Sequence, residues 1–366
     1  MPLTTDYTDI QIRLFSALIG MIAGAGLCIV LINRFLSQTD IQNKKPFIPP
    51  AFILIVSVLG IFGYHIGFSF YLLIPVVIIC GLLVVEIQHL RYWKENRASP
   101  PVEQSGPKLS FFHPITTTDL IISRYKIQIP EWAGSGLRVT HLSDFHITDR
   151  IPLDYFYHVV EQINQTSADV VLYSGDFVTD IEFAELLFDI LKGLRARKGI
   201  YAIFGNHDFW SNPKKLDKIV QAAGIHLIHN HWRHIILDDQ SKVLIQGCEE
   251  PWSKTHWLAP SVCDGELNLA LSHTADNIFR LNETGAHAVF SGHYHAGQFQ
   301  IPGFGAIIVP SNYGRRYYQG HFLVHGTHLF VSAGIGAAKP PIRVYCQPDI
   351  QIVDIYGSKS QNTLTV

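Results

Sequence analysis

Five short apolar runs in the second half of this chain end in the same way. Residues 137–142 lead to Ser143-Asp144-Phe145-His146, and residues 169–173 lead to Ser174-Gly175-Asp176 and on to Asp180. Residues 200–204 lead to Gly205-Asn206-His207-Asp208, residues 267–271 to Ser272-His273, and residues 287–290 to Ser291-Gly292-His293-Tyr294-His295. Each run reads as a strand that ends in a small residue and then in Asp, Asn or His. In open α/β sheets, ligands gather outside the carboxyl ends of the strands. Carboxylates, imidazoles and an amide without a thiolate exclude a Cys-type structural zinc site. They suit Mn²⁺, Fe or Zn²⁺ in an open catalytic site. The donors are too many for one ion, so two ions sharing a bridging carboxylate is the economical reading.

The elements that must position these residues begin near residue 116, where short apolar runs start to alternate with amphipathic stretches, the texture of an α/β domain. Helices are expected at 153–165, 183–195 and 213–223. The 366 residues suit one large domain plus an extra segment. The 48% apolar content is concentrated in the first ninety residues, where charge nearly vanishes. Runs at 14–32, 51–66 and 69–87 match the length of transmembrane spans, with a break at Gly63-Tyr64-His65-Ile66-Gly67. Basic residues follow the first run (Arg34, Lys44, Lys45) and the third (Arg91, Lys94, Arg97), which predicts a multi-pass protein of the cytoplasmic (inner) membrane with everything after residue 88 in the cytosol. Residues 89–115, with Ser99-Pro100-Pro101 and Ser105-Gly106-Pro107, read as a linker, and 116–366 as the catalytic domain.

Other patterns exclude rather than assign. The net charge of -2 and the lack of a long basic run give no nucleic-acid footprint. Five scattered cysteines form neither a CxxC pair nor a disulfide framework and read as reduced. His226, His229, His231 and His234 read as structural, with His229 and His231 on one strand face. His325 and His328 flank a hairpin turn at Gly326-Thr327. Tyr313, Arg315, Arg316, Tyr317 and Tyr318 are candidates for a substrate lip, with Arg on phosphate and aromatic rings on a base or an acyl chain. Phe209-Trp210, Trp252 and Trp257 could serve the same lip.

The five motifs, in this order, resemble the calcineurin-like metallophosphoesterase family: D-x-H (Asp144, His146), G-D-x-x-D (Gly175-Asp176, Asp180), G-N-H-D (Gly205 to Asp208), a lone His273, and G-H-x-H (Gly292-His293-Tyr294-His295). The resemblance covers about residues 118–355. It is closest to a membrane-anchored bacterial branch, through Gly297-Gln298 and a late stretch, Val331-Ser-Ala-Gly-Ile-Gly336, followed by Pro341 and Arg343. It implies a four-layer α/β/β/α sandwich. By the same resemblance, Asp144, His146 and His295 hold a first metal and Asp176 bridges. Asn206, His273 and His293 hold a second. His207 acts as general acid or charge stabiliser, and Asp208 orients it. Tyr294 and Ala296 replace the more usual Thr and Gly, a departure that bears on loop shape and pocket size.

The expected cofactors are two divalent ions, manganese first, with iron or zinc as alternatives. Such a pair neutralises anionic phosphoryl oxygens and lowers the pKa of a bridging water. The expected reaction is hydrolysis of a phosphodiester or pyrophosphate on a lipid-linked substrate at the bilayer. UDP-2,3-diacylglucosamine is the specific candidate, because the family contains enzymes of that step. The alternatives are a phosphodiesterase or phosphatase for soluble nucleotides and a non-catalytic membrane scaffold. Full retention of the presumed ligands and of His207 argues against the scaffold.

Overall fold

The structure is a computed structural model that describes residues 7–36, 48–66, 80–81, 84, 87–88 and 91–359. The chain forms two compact units, one of Met1–Glu95 with Pro310–Arg316 and one of Asn96–Val309 with Tyr317–Val366.

In the first unit, helices α1 (Tyr7–Leu36) and α2 (Ile48–Ile66) pack closely. A Cβ on Gly20 would stand 2.2 Å from the Leu59 carbonyl oxygen, and one on Gly60 would meet Met21 at 2.8 Å. Glycine lets the two backbones approach that closely. Among the described residues, no helix is long and apolar enough to cross a membrane. That finding overturns the multi-pass inner-membrane location and the cytosolic orientation, and leaves the expected spans at 14–32 and 51–66 without support. The helices that form do not coincide with the apolar runs. The first helix opens at Tyr7 rather than at residue 14, takes in Asp9, Gln11 and Arg13, and carries Arg34 in its last turn. The second opens on Ile48-Pro49-Pro50 and closes on Tyr64-His65-Ile66. Most of the run expected at 69–87 lies outside the described residues.

The second unit contains fifteen named strands, in chain order β1 Glu103–Ser105, β2 Ile121–Gln128, β3 Leu137–Leu142, β4 Val170–Tyr173, β5 Ile200–Ala202, β6 His226–Leu227, β7 Trp232–Ile236, β8 Lys242–Cys248, β9 Leu267–Ser272, β10 Ala288–Ser291, β11 Gln300–Ile301, β12 Gly305–Ala306, β13 Gly320–Val324, β14 Thr327–Val331 and β15 Asp349–Tyr356. Its helices are α3 Leu153–Gln165, α4 Ala184–Leu191, α5 Asn206–Trp210, α6 Pro213–Ala222 and α7 Ile278–Glu283. One sheet runs β1-β2-β15-β3-β4-β5-β6 and the other β13-β14-β10-β9-β8-β7, each mixing parallel and antiparallel pairs. The expected α/β class stands.

The two sheets share one apolar core. Val139, Val170, Leu172 and Val353 from the first meet Ile245, Leu269, Phe290 and Phe330 from the second. On the other face of the first sheet, Val171, Tyr173 and Ala202 pack against Phe156, Val159 and Ile163 of α3, Leu187 and Leu191 of α4, and Leu216 and Val220 of α6. Strand β4 shows why this works. Successive side chains alternate between faces, and both faces are covered, so the run Val170-Val-Leu-Tyr173 is apolar throughout.

Several local expectations meet the structure differently. Helix α4 is shorter than 183–195. It follows a 3₁₀ turn at Ile181–Phe183 and stops at Leu191, before Gly193. Strand β1 lies inside the stretch read as linker and pairs antiparallel with β2, Gln104 opposite Ser123. His229 and His231 do not share a strand face, since β6 ends at Leu227 and β7 begins at Trp232. His229 has a left-handed backbone (φ 54°), and its imidazole bridges Glu249 (Nδ1 to Oε1, 3.0 Å) and Asp217 (Nε2 to Oδ1, 3.1 Å). Burial works to lower the His229 pKa, but the Glu249 and Asp217 carboxylates lift it above its ordinary value. The expected hairpin forms with its turn one residue earlier, at His325-Gly326, both residues at positive φ (50° and 88°) between β13 and β14.

Candidate metal centre

All five donor-bearing runs are strands: β3, β4, β5, β9 and β10. Strands β3, β4 and β5 are parallel neighbours in one sheet, and β9 and β10 are parallel neighbours in the other. Their carboxyl ends therefore bring the loops that follow them to one edge of the sandwich. There the backbone turns sharply. Asp144 (φ 53°), His146 (44°), Asp176 (60°), His293 (70°) and His295 (48°) all adopt the left-handed region that residues with a Cβ seldom occupy. Such conformations persist where surrounding bonds over-determine them, and they cluster at functional sites. Here Asp144 N donates to Gly175 O (2.9 Å), Gly336 N to Asp144 O (2.8 Å) and Gly292 N to His273 O (3.0 Å).

The side chains converge in overlapping triads. Asp144, His146 and His295 form one, His146, Asp176 and His207 another, and Asp176, His273 and His293 a third. In the first, the Nε2 atoms of His146 and His295 lie 3.0 Å apart, with Asp144 Oδ1 3.8 Å and 3.5 Å from them. In the third, His273 Nε2 lies 3.2 Å from Asp176 Oδ2 and 3.1 Å from Asn206 Oδ1. Asp176 Oδ2 also lies 3.3 Å from His146 Nε2, so one carboxylate oxygen borders both sets. The distal nitrogens are engaged from outside. His273 Nδ1 donates to Ser174 O (2.7 Å), and His146 Nδ1 lies 3.3 Å from Thr179 Oγ1. Facing imidazole nitrogens ringed by carboxylate oxygens fit divalent cations of the Mn, Fe and Zn type, and outer partners of this kind fix the rings of metal-ligating histidines. Thr179 and the Ser174 carbonyl carried no signal in the sequence, because neither a hydroxyl nor a backbone oxygen stands out beside Asp176 and Asp180.

Electrostatics sort the members. Burial opposes ionisation of Asp176, yet His273 and His207 beside it hold its carboxyl well below the usual range. Burial likewise opposes a charge on His273, but Asp176 outweighs it and lifts the imidazole to about 9. A cation at that nitrogen must displace a proton, so occupancy is favoured as pH rises. His293 and His295 are pushed well below the ordinary imidazole value, first by burial and then by neighbouring rings, which leaves their lone pairs free. Burial raises Asp144.

Two glycines make room for the donors. A Cβ on Gly205 would stand 2.2 Å from Asp176 Oδ1 and 2.6 Å from His273 Cε1, and one on Gly292 would stand 2.2 Å from Asp144 Oδ2. Gly205→Ala is therefore expected to push Asp176 away from both sets and to weaken cation binding by at least the ~10–100-fold seen when supporting groups of a metal site are disturbed. Titration of the purified variant with Mn²⁺ tests this, and unchanged affinity would show that the loop has slack.

Some expected roles meet other surroundings. Asp208, expected to orient His207, has its carboxylate engaged by backbone amides. Its carboxylate accepts Asp176 N (2.8 Å), Gly205 N (2.9 Å) and Phe177 N (2.9 Å), tying together the loops after β4 and β5. Being buried, it finds its partners in backbone amides. The residues expected to form a substrate lip divide between the two units. Tyr317 is buried edge-on against Phe322 (5.3 Å), Arg315 is buried, and Arg316 lies over the Tyr92 ring at 4.6 Å. Tyr313, Arg315 and Arg316 belong to the first unit and Tyr317 to the second. Within the second unit the rings beside the triads are tryptophans: Trp252 at 5.4 Å from His273 and 5.0 Å from His293, and Trp210 at 5.0 Å from His207. Asp180 is outside the triads and pairs with Lys339 (2.7 Å).

Comparison with known proteins agrees with this arrangement. Residues 137–297 match the family described as Calcineurin-like phosphoesterase. YkuE of Bacillus subtilis, an uncharacterized metallophosphoesterase, is 26% identical over 247 residues, covering 66% of this chain and 85% of the relative. An uncharacterized metallophosphoesterase of Helicobacter pylori is 24% identical over 225 residues, 58% of each chain. The UDP-2,3-diacylglucosamine pyrophosphatase LpxG of Chlamydia trachomatis is 25% identical over 220 residues, 46% of this chain and 66% of the relative. Residues 137–297 form a calcineurin-like phosphoesterase domain, the domain of metal-dependent hydrolases of phosphoric esters.

Proposed function

We propose that this chain hydrolyses a phosphodiester or pyrophosphate with two divalent cations. Asp144, His146 and His295 hold the first, Asn206, His273 and His293 the second, and Asp176 bridges. Manganese is the first expectation, with iron or zinc as alternatives. The reading rests on Asp176, whose Oδ2 is 3.3 Å from His146 Nε2 and 3.2 Å from His273 Nε2. When bound, such a pair neutralises phosphoryl oxygens and lowers the pKa of water toward neutrality. The backbone N–H of His207 donates to Asp176 Oδ1 (2.9 Å), and its imidazole, whose ring lies 4.7 Å from that of His146, serves as general acid or charge stabiliser. The catalytic domain is residues 116–366, with β1 added at the sheet edge.

The substrate class is a lipid-linked phosphate ester, with UDP-2,3-diacylglucosamine as the specific candidate. Its support is the likeness to LpxG at 25% identity. The motifs set the reaction and leave the leaving group open. Purified chain stripped of metal and reloaded in turn with Mn²⁺, Fe²⁺ and Zn²⁺ should cleave UDP-2,3-diacylglucosamine at the pyrophosphate, read by product mass, faster than UDP-N-acetylglucosamine or a cyclic nucleotide. Faster turnover of the soluble nucleotides would replace the lipid-linked substrate. No turnover of any ester with any metal would leave a binding protein in place of an enzyme.

A further inference from the structure

Arg343 is fully buried, and its hydrogen bonds reach no carboxylate. Burying a guanidinium is costly unless its donors are satisfied. Here they are spent on the backbone of two loops. Nε donates to Gly336 O (2.7 Å), and Nη2 donates to Ala333 O (2.6 Å) and Gly334 O (3.1 Å). Nη1 reaches His295 O and Nη2 stands by His295 Nδ1, both at 3.4 Å, and Nη1 lies 3.5 Å from Cys346 Sγ.

Both loops lead to the same three donors. The segment 333–336 is pressed onto the turn that carries Asp144 and His146. Ile335 N donates to Ser143 O (2.9 Å) and Gly336 N to Asp144 O (2.8 Å). A Cβ on Gly334 would stand 2.8 Å from Asp144 Cβ, and one on Gly336 would stand 1.9 Å from Phe145 O. The second loop carries His295 itself. Arg343 makes none of its bonds to Asp176, Asn206, His273 or His293. One planar fork of five fixed donors thus joins the segment that braces the Asp144–His146 turn to the loop that carries His295.

We propose that Arg343 is a positioning residue for the first cation: it holds the Asp144–His146 turn and the His295 loop in register and makes no direct bond to the second set. This rests on the two-cation reading above. A role confined to general packing would lower stability and leave the metal content unchanged. A positioning role separates the two sites.

The test compares wild type with Arg343→Met, which keeps the apolar stem, and Arg343→Lys, which keeps the charge but not the fork. Metal content at limiting Mn²⁺, the electron paramagnetic resonance of bound Mn²⁺ and thermal melts are read together. Wild type should carry two ions per chain with a spin-coupled spectrum. Arg343→Met, folded, should carry about one and give an uncoupled spectrum. Its first-site affinity should be weaker by ~10–100-fold, the usual effect of losing an outer partner of a metal ligand. Arg343→Lys should fall between. Folded Arg343→Met with two coupled ions at wild-type affinity would overturn the proposal. So would failure of both variants to fold, which would place Arg343 in the general core. Wild type that binds fewer than two ions would instead overturn the functional reading, a result visible before any variant is made.

Discussion

Asp176→Ala is expected to bring turnover to the detection limit while the chain stays folded. The carboxylate is one of the two groups shared between triads, and its Oδ2 borders His146 and His273 at 3.3 Å and 3.2 Å. Its removal leaves two sets of imidazoles facing each other without the anion between them. Mutual repulsion of two cations is no longer offset, so at most one remains. The loss should exceed the ~10²–10⁴-fold that one acid–base group contributes. The carboxyl is held well below the usual range by His273 and His207, so the anion is present throughout the working pH range. Asp176→Asn then separates charge from shape, and it should lose nearly as much activity as alanine. A melt checks the fold, because Asp176 Oδ1 also accepts the His207 backbone N–H. Rates near wild type in folded Asp176→Ala would sink the two-cation mechanism.

The donor set was legible in the sequence because its geometry follows from topology. Parallel neighbouring strands deliver their carboxyl ends to one edge, so a motif at each strand end is already a spatial cluster. Helix α3 was legible for a similar reason: Phe156, Val159, Val160 and Ile163 repeat at helical spacing. What the sequence hid were contacts between segments distant in the chain. Nothing around residue 208 says that its carboxylate will accept the amides of Asp176, Phe177 and Gly205. Nothing in Arg315-Arg316-Tyr317 says which residues turn inward, and Tyr317 is buried against a residue of β13. The role of Arg343 was invisible for the same reason, because its partners lie between three and forty-eight residues away.

The first ninety residues failed differently. Apolar length alone set the expected spans, and it was measured on runs rather than on helices. Helix α1 extends past the run at its start and takes in charged residues there. It also closes beyond the run, at Leu36, so the apolar run did not announce the boundaries of the element that contains it.

His207→Ala should leave both cations in place and lower the rate by ~10²–10⁴-fold. The bond from His207 to Asp176 comes from the backbone N–H, which alanine keeps. The substitution therefore removes the imidazole alone, whose ring lies 4.7 Å from that of His146. The rival role is ligation, since His207 also forms a triad with His146 and Asp176. Metal content decides between them: two ions per chain in the variant leave His207 as acid or charge stabiliser, and loss of an ion makes it a ligand. The leaving group then separates the two remaining roles. A proton donor matters most when the departing oxygen is a poor leaving group and least when it leaves as a stable phenolate. A general acid at His207 predicts a large rate loss on alkyl esters and a small one on p-nitrophenyl esters. A charge stabiliser predicts equal losses on both, because the phosphoryl oxygens it faces are the same in each.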